Sequence, residues 1–178
     1  TEKVFRLRKD DRLFDIWGAR RCLATHPFGK YEELAEFPLA KADTLNDLAA
    51  YNWPTPDWFD FSGLPDELRA LDSGGEVHIR YRMGSLFETA WSLRGFEQTL
   101  IDLAESPEIP GYIMDRILEV HLANLDSALK AANGRLDMVY TYDDLASMEN
   151  LLMSPAAYRR VIKPRQEKLM AAAKARNL

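Results

Sequence analysis

The stretch of sequence that indicates the fold begins with EVHIRYRMG (residues 76–84) and ends with DMVYTYDD (residues 137–144). Both segments are short and rich in β-branched or aromatic residues, and small or acidic residues close them, as is typical of strands. Between them, apolar residues spaced three and four apart predict a helix over 110–132, with Asn133-Gly134 as its stop signal. A strand, a helix and a second strand in this order indicate a parallel βαβ unit.

Further elements are predicted on both sides of this unit. The segment RLFDIW (residues 12–17) predicts an earlier strand, and residues 31–37 predict half of a small hairpin after Gly29. Shorter helices are predicted over 43–51 and 64–71.

A last helix is predicted to begin at Ser154-Pro155, since serine caps free N–H groups and proline tolerates the first helical position. Pro164 lies inside this helix and should bend its axis. Strands alternating with helices are typical of a barrel, but a closed eight-stranded barrel takes about 250 residues. We therefore predict an α/β fold with one domain over residues 1–178, a partial (β/α)8 TIM barrel with about half of the barrel's parallel strands and flanking helices.

Composition argues against several classes of protein. The net charge is −5, which disfavours a nucleic-acid partner, and no apolar run approaches the roughly 20 residues that span a bilayer. A lone cysteine, Cys22, cannot form an internal disulfide, and this fits the reducing cytoplasm. Cys22 and His26 are four residues apart but have no second ligand pair, so no metal site is predicted. The chain contains neither a Gly-rich phosphate loop nor a Gly-x-Ser-x-Gly elbow.

Carboxylates lie at two predicted strand ends, where function collects in parallel α/β folds. Asp15 sits in an apolar strand, so it either faces a polar cavity or accepts hydrogen bonds from neighbouring backbone N–H groups. Asp143 and Asp144 follow a later strand, where such acids act as general acid and base or cap the next turn. Adjacent residues leave a strand in opposite directions. We predict that Asp143 faces the cleft and that Asp144 caps the turn.

Two arginines, Arg80 and Arg82, alternate with the apolar residues of their strand. If the apolar face packs on helices, the arginines face the barrel interior, where they suit a substrate carboxylate or phosphate. Alternatively, they pair with structural acids such as Glu88 or Asp144. We predict that Arg80 or Arg82 projects into a cleft near Asp15 and Asp143 and helps to bind an acidic substrate.

Several motifs occur together in a definite order. One group consists of YDDL (residues 142–145), LMSP (152–155) and IKPR (162–165), a strand end followed by a serine–proline helix start and a Lys-Pro-Arg helix. The other segments are GSLFETAWSLRGFE (84–97), a loop after a strand, and FDIWG (14–18). Together these segments span nearly the whole chain and resemble the uroporphyrinogen decarboxylase superfamily, which includes cobalamin-dependent methyltransferases.

The resemblance implies part of an enzyme that acts on a carboxylate-bearing, tetrapyrrole-like substrate. A corrinoid-linked methyltransferase and a catalytically inert half-barrel module for binding or assembly are the alternatives. Asp15 is the nearest counterpart of the family's catalytic aspartate, and Asp143 is the second catalytic candidate. The resemblance places a substrate-contacting tyrosine of the decarboxylase at or beside Trp91, and a small hydroxyl residue of the family near Tyr142 or Asp143. The predicted substrate-binding residues are Arg80, Arg82, Trp91 and Tyr142.

The resemblance also sets expectations for cofactors and partners. No cofactor is expected within this chain, and zinc or a corrinoid is expected only if a further C-terminal half supplies ligands. The expected partner is a small-molecule substrate, with neither nucleic acid nor membrane involved, in the cytoplasm. Since half a barrel leaves strand edges open, we expect a homo-oligomer or pairing with the rest of the barrel, and no activity from this half alone.

Overall fold

A computed structural model of the chain describes residues 7–9, 12–72 and 74–176, which form a mixed α/β structure with two small sheets. The strands are β1 (Leu7–Lys9), β2 (Arg12–Phe14), β3 (Arg20–His26), β4 (Gly29–Glu36), β5 (Arg80–Gly84) and β6 (Met138–Thr141). The α-helices are α1 (Leu45–Ala49), α2 (Leu64–Leu71), α3 (Phe87–Arg94), α4 (Phe96–Glu105), α5 (Glu108–Ala132), α6 (Pro155–Ala157) and α7 (Lys163–Lys174). A 3-10 turn covers Pro56–Trp58, and a π-helical turn covers Tyr158–Ile162.

The first sheet is an antiparallel meander in the order β1-β2-β3-β4. The hairpin of β3 and β4 closes with His26 opposite Gly29, which confirms the predicted hairpin. The prediction of a parallel barrel strand over residues 12–17 is wrong, because β2 ends at Phe14 and is antiparallel to both neighbours. The chain reverses direction directly after β2, where Gly18 adopts a φ of 87° and closes a tight turn.

The second sheet is the parallel pair β5–β6, with Arg80 opposite Met138 and Arg82 opposite Tyr140. The chain between the two strands forms α3, α4 and α5, so the predicted parallel βαβ unit is confirmed. The long helix α5 ends as predicted at Asn133, whose left-handed backbone (φ 49°, ψ 50°) terminates the helix.

The hydrophobic core lies between β5–β6 and the helices, with α5 at its centre. Ile113, Met114 and Ile117 of α5 are fully buried there. From the sheet, Met83 belongs to this core, and Tyr81 packs against it half-buried. One face of the parallel pair is therefore covered by helices, and the arginines of β5 lie on the other face, as the alternation predicts.

The predicted start of the last helix is confirmed, since the Ser154 hydroxyl accepts a hydrogen bond from Ala157 N at 3.1 Å. Pro164 was expected to lie inside one regular α-helix, and the structure differs from that expectation. The π-helical turn precedes it, and Lys163 N donates to Tyr158 O across that wider turn. Pro164 thus occupies the first turn of α7, where a missing N–H group costs little.

No closed barrel is formed by residues 7–9, 12–72 and 74–176. None of the helices in this described part of the chain is long and apolar enough to cross a bilayer.

Candidate ligand-binding site at the ends of the parallel strands

Asp143, which follows β6, caps the helix that follows β5. Its carboxylate accepts hydrogen bonds from three successive backbone N–H groups, those of Leu86 (3.3 Å), Phe87 (2.8 Å) and Glu88 (3.0 Å). These groups belong to the first turn of α3 and have no partners within the helix. Because β5 and β6 are parallel, the end of one strand lies beside the helix that leaves the other, and a carboxylate there also meets the positive end of the helix dipole.

A glutamine from the last helix completes the surroundings of Asp143. Gln166 Nε2 donates to Asp143 Oδ2 at 3.1 Å, and its Oε1 accepts from the Tyr158 hydroxyl at 3.0 Å. Sequence reasoning missed Gln166. The available signal was its spacing, since it lies four residues after Ile162 and three before Leu169, on the apolar stripe of the helix.

Burial of the Asp143 carboxyl raises its pKa, whereas the backbone N–H groups of α3 and the Gln166 amide oppose that rise. The expected division of roles between the two acids was wrong: Asp143 provides the cap, while Asp144 is exposed. The catalytic role of Asp143 stays a prediction.

Arginine–tyrosine pairs line the face of the parallel sheet that is turned away from the helices. The Arg82 guanidinium lies over the Tyr142 ring, 4.4 Å from its centroid, and that of Arg80 lies over Tyr140 at 5.8 Å. Such a cation–π contact holds a guanidinium flat against a ring and is worth about 0.5–1 kcal/mol at exposed sites. The prediction that these arginines avoid the helix-facing side is confirmed, since Arg80 and Arg82 are both exposed.

Glu88, in the first turn of α3, is close enough to Arg82 and to the two aspartates to feel the charge of each. Its Oε1 accepts a hydrogen bond from Asp144 N at 3.0 Å, while its own N–H group donates to Asp143. Burial raises the pKa of Glu88, and the charges of Asp144 and Asp143 raise it further. The bond from Asp144 N and the charge of Arg82 act in the opposite direction.

Asp15 lies in the turn between β2 and β3. Its Oδ1 accepts from Trp17 N and Ala19 N, both at 3.0 Å, and its Oδ2 lies 4.0 Å from Arg21 Nε. Burial raises its pKa, and the bond from Ala19 N and the charge of Arg21 oppose the rise. Of the two alternatives for this residue, the structure contains the local one, a carboxylate bonded to its own turn. Its catalytic role stays a prediction.

The remaining predicted site residue, Trp91, lies on α3, half-buried. Its ring meets Phe96 edge-on at 5.6 Å between centroids, and it packs on the core. The structure therefore brings together Arg82, Tyr142 and Asp143 among the predicted residues, with Arg80 one pair further along the same face. Trp91 and Asp15 make their contacts elsewhere.

A buried histidine connects the meander to the end of β5. His121 of α5 has Nε2 at 3.1 Å from Ser85 O, and its ring meets Trp17 edge-on at 5.8 Å. Gly84 allows this approach, because a Cβ there would lie 2.7 Å from His121 Cε1. Burial lowers the pKa of His121 to about 4, so it is a neutral core residue, as its place on the apolar stripe predicts.

A shallow groove of about 430 Å³ lies between the start of α5 and the last helical segments. Its arginines already have protein partners: Arg165 pairs with Asp115 at 2.6 Å, and Arg160 donates to Leu103 O at 2.9 Å. Within the described part of the chain, no three His, Cys, Asp or Glu side chains lie close enough together to hold a metal ion.

Comparisons of this chain with protein-family models, with curated proteins and with solved structures find no match.

Proposed function

We propose that this chain forms part of an enzyme of the uroporphyrinogen decarboxylase superfamily, and that its Arg82–Tyr142 surface binds a carboxylate of a tetrapyrrole-like substrate. The observation that carries the proposal is the convergence at one edge of the parallel pair. There, a guanidinium stacked on the Tyr142 ring acts on the Glu88 carboxyl group, which also feels the charges of Asp143 and Asp144. Ligand sites of parallel α/β folds lie at this edge.

The two components of the surface suit different parts of such a substrate. A guanidinium offers paired N–H donors in a plane that matches a carboxylate, and stacking on Tyr142 fixes the orientation of that plane. The rings of Tyr140 in β6 and of Tyr142 directly after it present flat apolar area to a pyrrole ring. Arg80 over Tyr140 repeats the pair on the same face, so a ligand with several carboxylates can engage two guanidinium groups.

The test uses uroporphyrin I, a fluorescent porphyrin with eight carboxylates, titrated with the 178-residue chain. We expect Arg82→Gln to weaken binding about tenfold or more, since a charged hydrogen bond contributes about 1.5–3 kcal/mol. Arg116→Gln is the matched control, because Arg116 is a half-exposed residue of α5 that pairs with Glu119. Absence of binding, or equal losses in the two variants, would contradict the proposed site.

A second candidate function, a binding module without catalysis, is favoured by a specific observation. The carboxylates of Asp15 and Asp143, the two catalytic candidates, are both engaged by backbone N–H groups. The two functions differ in turnover. Incubation with uroporphyrinogen I, followed by chromatography of the oxidised products, distinguishes them: porphyrins with fewer carboxylates support an enzyme, and binding without such products supports the module.

A further inference from the structure

Glu88 is fixed at the centre of the candidate site by reciprocal bonds. Its backbone N–H donates to Asp143 Oδ1, and its side chain accepts from Asp144 N, each at 3.0 Å. The first turn of α3 and the loop after β6 are therefore locked together through this residue. Its carboxyl group is held close enough to Arg82 to feel the charge of that guanidinium.

The site has an excess of negative charge for an anion-binding surface. The charges of Arg82 from β5 and of Asp143 and Asp144 from the loop after β6 all act on Glu88, so this group contains three carboxyl groups and one guanidinium. A further carboxylate from a ligand adds repulsion unless one of the three acids takes up a proton.

The hydrogen bonds indicate which acid takes the proton. Four N–H donors reach Asp143, and they favour its charged form. Asp144 is exposed, so water stabilises its charge. Glu88 is half-buried, and among the described residues one hydrogen bond reaches its carboxylate. Its ionised form is therefore the least supported of the three.

We propose that Glu88 contacts the ligand and binds one proton when the site takes up a substrate carboxylate. The proton comes from solvent, and the neutral carboxyl group then donates it as a hydrogen bond to the ligand oxygen. No covalent bond forms or breaks in this step. The site would therefore select ligands whose anionic group accepts such a bond beside Arg82. This inference rests on the proposed function, because it names how the same site holds a carboxylate.

The test measures the protons taken up on binding. Uroporphyrin I is titrated into the chain by calorimetry at pH 7 in several buffers with different ionisation enthalpies, and the dependence of the measured heat on the buffer gives the proton count. We expect uptake approaching one proton for the unaltered chain and for the control Glu119→Gln, and none for Glu88→Gln. Affinity of the unaltered chain should fall up to about tenfold per pH unit above pH 7, whereas that of Glu88→Gln should stay constant.

The outcomes separate the two proposals. Binding that depends on Arg82 but involves no proton uptake in the unaltered chain refutes the role of Glu88 and leaves the site in place. Uptake that persists in Glu88→Gln assigns the proton to another acid and also refutes it. Absence of binding at every pH refutes the site and the proton together. Since the unaltered chain provides the primary measurement, the result does not depend on whether Glu88→Gln folds.

Discussion

The turn after β2 and the loop after β6 use the same chemistry over different distances. In both, an aspartate that follows a strand accepts hydrogen bonds from backbone N–H groups. Asp15 bonds residues two and four positions further along its own turn, whereas Asp143 bonds residues 55 to 57 positions away, at the start of another helix. The local aspartate shapes one turn. The distant one ties β6 to the helix that follows β5.

This difference determines where a site can form. A carboxylate that closes its own turn meets residues close to it in sequence, such as Arg21 of β3 beside Asp15. A carboxylate that joins two distant elements gathers the side chains of both. Around Asp143 the second element contributes Glu88, β5 contributes Arg82, and the residue directly after β6 is Tyr142, on which Arg82 stacks. The parallel pair thus gathers polar side chains that are remote in sequence, whereas the hydrogen bonds that Asp15 accepts come from its own turn.

The largest effect is expected where the chain leaving the meander joins the helices. Arg94 of α3 is buried, its Nε bonds Asp102 at 2.8 Å, and its Nη1 donates to the carbonyl oxygens of Leu39 and Ala42, both at 2.8 Å. Arg94→Met should lower the free energy of unfolding by about 3–5 kcal/mol, because Asp102 would remain buried without its cation. Urea unfolding measures this loss, with the half-exposed Arg116→Met as control. A loss below about 1 kcal/mol would show that the stability of the fold does not depend on the bonds of Arg94 between the segment after the meander and the helices.

The second-largest effect on stability is expected at His121 of α5. Its ring contacts both Trp17 after β2 and Ser85 O after β5. The pKa of His121 is about 4 in the folded chain and about 6.5 when unfolded, so the unfolded state binds more protons between these values. The free energy of unfolding should therefore be unaffected above pH 6.5 and should fall by about 3 kcal/mol in total as the pH drops through 6.5 towards 4.

The control for that titration is the difference between the unaltered chain and His121→Gln. The pKa values of Asp15, Glu88 and Asp143 are raised, so these acids stabilise the fold as pH falls and partly mask the slope. Subtracting the curve of His121→Gln removes their contribution. His26→Gln, on the exposed hairpin, should keep the full slope. A difference curve that is flat between pH 4 and 6.5 would contradict a neutral buried His121.

The smallest effects come from the two aspartates themselves. Asp143→Ala should cost about 2 kcal/mol, because it removes the cap from three N–H groups of α3, and Asp15→Ala should cost about 1 kcal/mol. Asp144→Ala, at an exposed position, is the matched control and should change stability by less than about 0.5 kcal/mol. Thermal and urea unfolding measure all three. If Asp15→Ala proves as costly as Asp143→Ala, the contrast between a local and a long-range cap is wrong.

Local patterns determined those parts of the fold that depend on near neighbours. The bounds of α2 and α5, the Ser154 cap and the β3–β4 hairpin were predictable because helical periodicity, capping and tight turns involve residues only a few positions apart. The outward-facing arginines of β5 followed from alternation alone. The same patterns predicted that Asp143 directly follows a strand that pairs in parallel with the strand of Arg82.

The tertiary structure decided which strand each strand pairs with and which group each polar side chain contacts. The strand pattern of residues 12–17 is the same for a parallel and an antiparallel neighbour, so only the fold made β2 part of a meander. Two adjacent aspartates look alike in sequence, and the cap fell to Asp143 because the first turn of α3 lies beside it, 55 residues away along the chain. Gln166 became its partner in the same way, through the position of α7.

Sequence by itself determined which side chains are polar and which way they leave their element. Only the packed chain determined which N–H group or charge each one meets, because that choice depends on distances between elements that are remote in sequence.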